Sequence, residues 1–369
     1  MLKLKSTYPI GLDIGKHHIY AAQFKESRHG LAARGFWHKR LNGESDDPDN
    51  SSNILVPLFK EIARYKRFRG KKAVVHMPFK NNFTFPIRFH ASADENLEAL
   101  IVRESEKYMP FPIEEAVIDY PSISPLSTGG PDEYTATIVA SRKENTEHYL
   151  TMLKKAGLKV EVFDFSVSAL LRLHHQLFNP TENPIFLGNI GHTESQISIV
   201  TKEDILVQRD IAWGIQSIVD QIQANFEHIG DEDKAGSLLK KYGLLHEDQG
   251  KVEIRSDSSD KAEMESMLKV MYQIISPHIE ELILECHKII AYVRSEVPNP
   301  NFEAIYMYGL ANMIGHLDAY VEKRLQIPTK FVNPVKDWIF QNDGILAGLS
   351  EGAEFALSLG LAMRKVTWP

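Results

Sequence analysis

The residues with the best claim to chemistry follow a short apolar run: Asp13-Ile14-Gly15-Lys16-His17-His18. Apolar alternation on both sides places them in a turn between two strands. A glycine there lets backbone N–H groups converge on an anion without a Cβ in the way. Lys16, His17 and His18 add side-chain donors for phosphate. Taken alone, the string reads more readily as a simple hairpin than as a binding loop. A second string, Gly188-Asn189-Ile190-Gly191-His192-Thr193, holds the same place between two apolar runs. Two such hairpins facing each other make a phosphate clamp. A third, Tyr308-Gly309-Leu310-Ala311-Asn312, joins a strand to a helix, and a small-residue turn there admits a flat base or ribose against backbone.

Other candidates are weaker. The chain has 15 histidines, yet no His-Glu-x-x-His pattern and no Cys/His cluster at zinc spacing. His174 and His175 are adjacent on a helix and point to different sides. Cys286 falls on an apolar helical face with Ile279, Leu282, Ile283 and Ile290, which makes it a packed thiol. Glu114 and Glu115 diverge as neighbours, and nothing nearby marks them as an acid–base pair. Residues 64–72 (RYKRFRGKK) are the densest positive charge and read as a solvated helix end leading into a strand. The 369 residues carry 49 acidic and 42 basic side chains, a net charge of −7, so no overall field draws in nucleic acid. A hydrophobic fraction of 43% is enough for real cores and excludes a disordered chain. A single cysteine fits a reducing compartment. With neither a signal-like start nor an apolar run of membrane length, a cytoplasmic location is expected.

The elements that must position these strings are legible in outline. Residues 10–15 and 19–24 read as strand, turn and strand, and so do 186–191 and 196–200. Each pair is followed by another strand, over 32–41 and 205–211. Two similar β-meanders half a chain apart predict a duplicated protein with two related lobes. Capping boxes at Ser92-Ala93-Asp94-Glu95 and Ser141-Arg142-Lys143-Glu144 predict helices behind them, the second ending at Gly157. Residues 159–165 alternate as a strand. Helices are predicted over 166–178, 215–226, 264–297 and 311–326, with Ser276-Pro277 splitting the third into two. Residues 304–308 read as a strand. Polar breaks at 44–53, 127–133, 179–184 and 247–260 read as surface loops. Alternating strands and helices give the α/β class.

Taken in order, these strings resemble the actin-like ATPase superfamily and, within it, the type IV pilus assembly PilM family, which is related to the cell-division protein FtsA. The resemblance is carried most specifically by residues 103–120 (RESEKYMPFPIEEAVIDY) and 140–165 (ASRKENTEHYLTMLKKAGLKVEVFDF). Residues 207–214 (VQRDIAWG), 326–335 and 357–363 resemble further family segments. It implies a two-lobed actin-like α/β fold, ribonuclease-H-like and duplicated, with an α/β subdomain inserted in the first lobe. The expected layout is a first core of 1–69 plus 164–183 and an insertion over 70–163. A second core of 184–213 plus 302–350 follows, with a helical subdomain over 214–301. Residues 351–369 should form a C-terminal helix packing back on the first lobe.

The resemblance also implies ATP with Mg²⁺ at Asp13, Gly15, Lys16, His17 and His18 in one lobe. In the other it points to Asn189, Gly191, His192, Thr193, Gly214, Lys240, Gly309, Leu310 and Ala311. Four positions depart from the family pattern. Asn189 stands where Asp is usual, Tyr20 where Lys is usual, Ser237 where a Glu precedes Lys240, and Leu310 where a second Gly is usual. The first removes a charge that would hold Mg²⁺ through its waters. The last puts a side chain where a base would approach. Nucleotide binding is therefore expected to be weak or lost, and the chain is not expected to be an enzyme.

For partners, the resemblance implies the short cytoplasmic N-terminus of a single-span inner-membrane protein of PilN type, seated in a groove between two subdomains. Tyr108-Met109-Pro110-Phe111-Pro112 would supply an apolar wall, with Arg103, Glu104 and Lys107 reading the peptide's backbone or charges. Singly, each of these aromatics and prolines could equally end a helix and pack the subdomain. Other pilus components are implied as partners, nucleic acid is not, and the membrane is reached only through the partner. The alternative is an active actin-like ATPase or sugar-kinase-like phosphotransferase, for which no base can be named. A membrane-anchored division protein would want a basic amphipathic C-terminal helix, and 361–369 is short for one.

Overall fold

The computed structural model describes residues 8–27, 30–41, 48–78, 82–92, 94–120, 123–125, 130, 132–202, 204–226, 229, 231–244, 258–336 and 352–365. The chain divides into two compact units. One comprises Met1–Glu182, Val200–Gln208 and Asn333–Pro369, the other Asn183–Ile199 and Arg209–Val332.

The first unit opens with an antiparallel meander of β1 (Ile10–Ile14), β2 (His18–Ser27) and β3 (Gly30–Arg40). Helix α1 (Pro48–Arg64) then returns the chain to β4 (Lys72–His76). Strand β5 (Phe83–His90), helix α2 (Leu97–Glu106), β6 (Ala116–Asp119), β7 (Ile123–Pro125) and β8 (Glu133–Arg142) come next. Helix α3 (Lys143–Lys155), β9 (Lys159–Phe163) and α4 (Ser166–Leu177) follow. The main sheet runs β3-β2-β1-β4-β9, with β4 parallel to both β1 and β9. Burial of β1 explains its place at the centre: Ile10, Leu12 and Ile14 are fully covered, with Leu55, Phe59 and Ile62 of α1 and Leu153 of α3 in the same core.

The insertion is smaller than the expected 70–163. Strands β4 and β9 belong to the main sheet, and only β5, β6, β7 and β8 form a separate one, ordered β5-β8-β6 with β7 also on β8. That sheet has its own core of Ile87, Phe89, Leu100, Ile101 and Ile138. The Ser92–Glu95 pair forms as a capping box would, its Ser92 N–H donating to the Glu95 carboxylate at 3.0 Å. The helix nevertheless starts later, at Leu97, behind an Asn96 cap. Gly157 does take the left-handed conformation (φ +84°) after α3. The expected loop at 44–53 gives way to α1 from Pro48, a proline suited to a first helical turn.

The second five-stranded sheet repeats the plan with β10 (Ile185–Ile190), β11 (Ser195–Val200) and β12 (Ile205–Ile211), of which residues 200–208 group with the first unit and the rest with the second. Helices α5 (Ile215–Asn225), α6 (Glu232–Tyr242) and α7 (Ser258–Glu296) lead to β13 (Ile305–Gly309). Helix α8 (Leu317–Leu325) and β14 (Thr329–Phe331) complete it. Its sheet order, β12-β11-β10-β13-β14, matches that of the first. Two expectations are corrected here. Pro277 does not split α7, because the buried stripe of Ile275, Ile279, Leu282 and Ile283 runs straight through it and outweighs one lost hydrogen bond. The segment after β13 is not helical from Ala311: a 3-10 turn covers Leu310–Met313, and α8 begins only after His316, at φ +62°. Residues 333–336, expected in the second core, group with the first unit, where Gly352 packs on Val335. The rest of that stretch, 337–350, lies outside the described residues.

The last helix, α9 (Ala356–Ala362), packs on β1 and α4 with almost no side chain between. A β-carbon on Gly11 would overlap the Ser358 carbonyl oxygen, and one on Gly360 would overlap that of Ala169. Beside it Asp164, fully buried, is bridged by Arg172 of α4 and by Arg364 at 2.6 Å. Two arginines on one carboxylate tie the end of β9, α4 and the segment after α9 into one body.

Candidate functional site

In the first unit the turn after β1 is closed on itself. The Gly15 N–H donates to the His18 carbonyl oxygen at 2.9 Å, and the Leu41 N–H donates to that of His17 at 2.7 Å. Asp13 and His76, paired across β1 and β4, meet at 3.1 Å between Oδ1 and Nδ1. His18 Nδ1 lies 2.7 Å from His38 Nε2, and the Tyr20 ring stacks on His38 at 4.5 Å between centroids. Burial raises the Tyr20 hydroxyl pKa well above its ordinary value, with the charges of Glu354 and Asp13 adding to it. Where a lysine would bring a positive charge, Tyr20 keeps a neutral, protonated hydroxyl.

In the second unit three elements converge on the end of β10. Gly309, at the end of β13 with φ +70°, would place a β-carbon 2.8 Å from Asn189 Oδ1. Gly214 lies so close to His192 that any β-carbon would overlap its carbonyl oxygen. The N-terminus of α5, a ready anion site in principle, is already engaged. Its Ile215 and Gln216 N–H groups donate to the carbonyls of Gly191 and His192, at 3.2 and 2.8 Å. The Gly191 N–H donates to Ser195 Oγ at 3.2 Å, and His192 Nδ1 lies 2.9 Å from Gln216 Oε1. Helix α6, which carries Ser237 and Lys240, abuts the turn after β13, where the Gly315 N–H donates to the Leu239 carbonyl oxygen at 3.2 Å. Asn189, Gly191, His192, Thr193, Gly214, Lys240, Gly309, Leu310 and Ala311 thus lie around one end of one sheet. Thr193 sits in the β10–β11 turn, and Ala311 is the buried residue of the 3-10 turn that Leu310 opens.

On the inserted sheet the corner after α2 separates its residues sharply. Tyr108 is 56% exposed and stacks on Phe85 at 5.6 Å between centroids. Pro110 is exposed beside it. Phe111, expected in the same wall, is only 7% exposed: it packs edge-on against Phe83 at 5.4 Å, and the Arg142 guanidinium lies 4.3 Å above its ring. Arg142 also pairs with Glu115 at 2.5 Å, closing the corner from the far end of β8. Phe111 is therefore part of the fold, not of an exposed wall. Glu104 bonds Lys107, which holds its carboxyl below the usual range, and Arg103 lies 3.5 Å away. Both cations keep most of their side chains in solvent.

Comparison with known proteins places this geometry. The family described as Type IV pilus assembly protein PilM matches residues 11–366. The chain belongs to the PilM family. Its fold is similar to that of the solved PilM-PilN type IV pilus biogenesis complex, at TM-score 0.74 and 21% identity over 96% of this chain and 97% of that one. It is also similar to ethanolamine utilization protein EutJ from Carboxydothermus hydrogenoformans, at TM-score 0.51 and 13% identity over 97% and 90%. The PilM fold is the actin-like α/β one, and the repeated strand order of the two five-stranded sheets is its duplication.

Within this PilM-family chain the sequence missed three contributors. His76 carries no motif, and only the parallel pairing of β4 with β1 brings it to Asp13. Arg142 reaches Phe111 from 31 positions away, beyond any local pattern. The Asp164 clamp joins residues 200 positions apart. Among the described residues no group of three or more His, Cys, Asp or Glu side chains could hold a metal ion. No helix among them is long and apolar enough to cross a membrane.

Proposed function

We propose that this PilM-family protein is a scaffold of a type IV pilus or related secretion machine, and that it holds the short cytoplasmic N-terminus of a single-span inner-membrane protein of PilN type. The observation that carries the reading is where the apolar surface lies. Seven large apolar side chains are exposed among the described residues, and four of them, Leu97, Val102, Tyr108 and Val117, fall within twenty-one consecutive positions of the insertion. Of these, Tyr108 stands at the corner after α2 with Pro110 exposed beside it, and an exposed ring there is the kind of anchor a docked peptide covers. Arg103 and Lys107 give that corner donors for a peptide backbone or carboxylates. An unstructured tail that orders on docking gives modest affinity and allows exchange.

Nucleotide is bound weakly or not at all in this reading. The N–H groups best placed for phosphate, those of Gly15, Gly191, Ile215 and Gln216, already serve protein acceptors. Asp13 faces His76, and Asn189 brings no charge for a cation. Titration of the full chain with a peptide copied from a PilN-type cytoplasmic N-terminus, with and without Mg-ATP, tests the proposal. Absence of binding under both conditions removes it.

A further inference from the structure

The densest charge in the chain has no part in the sites above. Residues 60–72 and 154–161 hold ten basic side chains against Glu61 and Glu161, a net of +8 in a chain whose total is −7. The fold brings the two stretches together. Strands β4 and β9 start side by side with Lys72 opposite Lys159, and the Lys159 N–H donates to the Lys71 carbonyl oxygen at 2.7 Å. Helices α1 and α3 pack on each other, α1 ending at Arg64 and α3 at Lys155 beside these strand starts. All ten cations are exposed. Because β4 runs parallel to β1, they gather at the end of the sheet opposite the Asp13 turn.

Ordinary structural roles cover only part of the cluster. Cations favour helix C-termini, which suits Arg64, Lys154 and Lys155. The Lys71 ammonium bonds the Ala63 carbonyl oxygen at the end of α1, and Lys72 covers Glu161 at 2.5 Å. Among the described residues, Lys66, Arg69 and Lys159 have no carboxylate within ion-pair distance. Holding so many like charges together works against folding through self-repulsion.

We infer that this end of the first unit lies against a bilayer surface rich in anionic phospholipid. Charge complementarity selects an anionic surface, and the form of the cluster selects lipid over nucleic acid. Its cations fan out over two strand starts and two helix ends, a spread that mobile headgroups in a fluid leaflet can match. Its aromatics pack into the fold: Phe68 is buried, and the half-buried Tyr65 packs edge-on against it at 4.9 Å, so neither ring stands out as the open platform that stacked bases use. The inference rests on the proposed membrane-anchored partner only in that such a partner would bring this surface near a bilayer; its test uses no partner.

Flotation of the full chain with phosphatidylcholine vesicles, with and without phosphatidylglycerol, is the experiment. Binding is expected only with phosphatidylglycerol and is lost at high salt. Lys66→Glu, Arg69→Glu and Lys159→Glu together should lower it about a hundredfold. Lys234→Glu, Lys323→Glu and Lys330→Glu, an equal charge change in the second unit, should leave it unchanged. Equal binding to neutral vesicles, or equal loss in both triple variants, overturns the inference. So does tighter retention on single-stranded RNA than on the anionic vesicles at matched ionic strength. Should the first triple variant fail to fold, the lipid and salt comparisons on the unaltered chain decide alone. Failure here leaves the peptide proposal standing, and failure of peptide binding leaves this one.

Discussion

Asp13 and His76 stand on paired positions of two parallel strands, and their side chains meet at 3.1 Å. The one carboxylate of the first hairpin is thus turned to an imidazole of its own sheet. A hydrated cation at Asp13 would have to compete with that contact. Calorimetry with Mg-ATP is expected to show binding weaker than about 100 µM and no steady phosphate release. Micromolar binding with turnover would overturn this. Asn189→Asp combined with Leu310→Gly should tighten binding, and no gain from it would place the obstacle in the self-bonded turns.

Gly11 provides a test of the fold at one atom. A methyl group there meets backbone, the Ser358 carbonyl oxygen and the Ala362 nitrogen, so α9 must lift from β1. Gly11→Ala should cost about 3 kcal/mol or more, because overpacking against backbone has no side chain to yield. Gly157→Ala adds a β-carbon in open space and carries only the left-handed strain of φ +84°, about 1–2 kcal/mol. Urea midpoints of the two variants should fall in that order. The reverse order would mean that α9 is not seated on β1.

How much of this was legible follows from the range of each interaction. The two meanders, the strand-helix alternation and the Gly157 cap are local, and the structure matches them. The insertion boundary is not local. Ala73, Val74 and Val75 make the same apolar run whether β4 pairs with β1 or with an inserted strand, so pattern alone could not choose. The corner at 108–111 hides a similar ambiguity. Two aromatics three positions apart look alike in sequence, and Arg142 settles which one turns inward. The long helix fails in the opposite direction: Pro277 is a strong local signal overruled by a buried stripe on both sides of it.

Cys286 should behave as a reporter of global unfolding. Burial pushes its thiol up to about 12, and the Glu285 carboxylate adds to the shift. The thiol is therefore held protonated in the folded protein. That preference stabilises the fold below the ordinary thiol pKa of 9.0, and it is lost as pH rises from there towards about 12. At pH 8 a thiol reagent should label the protein only as fast as it unfolds, with labelling and loss of helical circular dichroism sharing one urea midpoint. Rapid labelling of the folded protein would show that α7 opens locally.

The partner proposal is sharpest where Tyr108 and Phe111 part company. They lie three positions apart on one corner, yet one ring stands in solvent and the other is wedged between Phe83 and the Arg142 guanidinium. Tyr108→Ala removes surface a docked peptide would cover. It should weaken a PilN-type peptide about thirtyfold, or roughly 2 kcal/mol, as loss of a central aromatic anchor does. Its urea midpoint should stay near that of the unaltered chain, since the ring is mostly exposed. Phe111→Ala should do the reverse first, losing about 3–5 kcal/mol of stability through the cavity it leaves. Any loss of peptide affinity in that variant would follow from a loosened corner. Conservative Phe111→Leu, which refills most of the space, should then restore binding with stability, whereas Tyr108→Leu should not recover the ring's contacts. Cys286→Ala, in the second unit, is the matching control: a buried change that lowers stability and leaves peptide affinity alone. If the peptide binds Tyr108→Ala as tightly as the unaltered chain, the site lies elsewhere on the molecule, and the exposed apolar residues of 97–117 need another occupant.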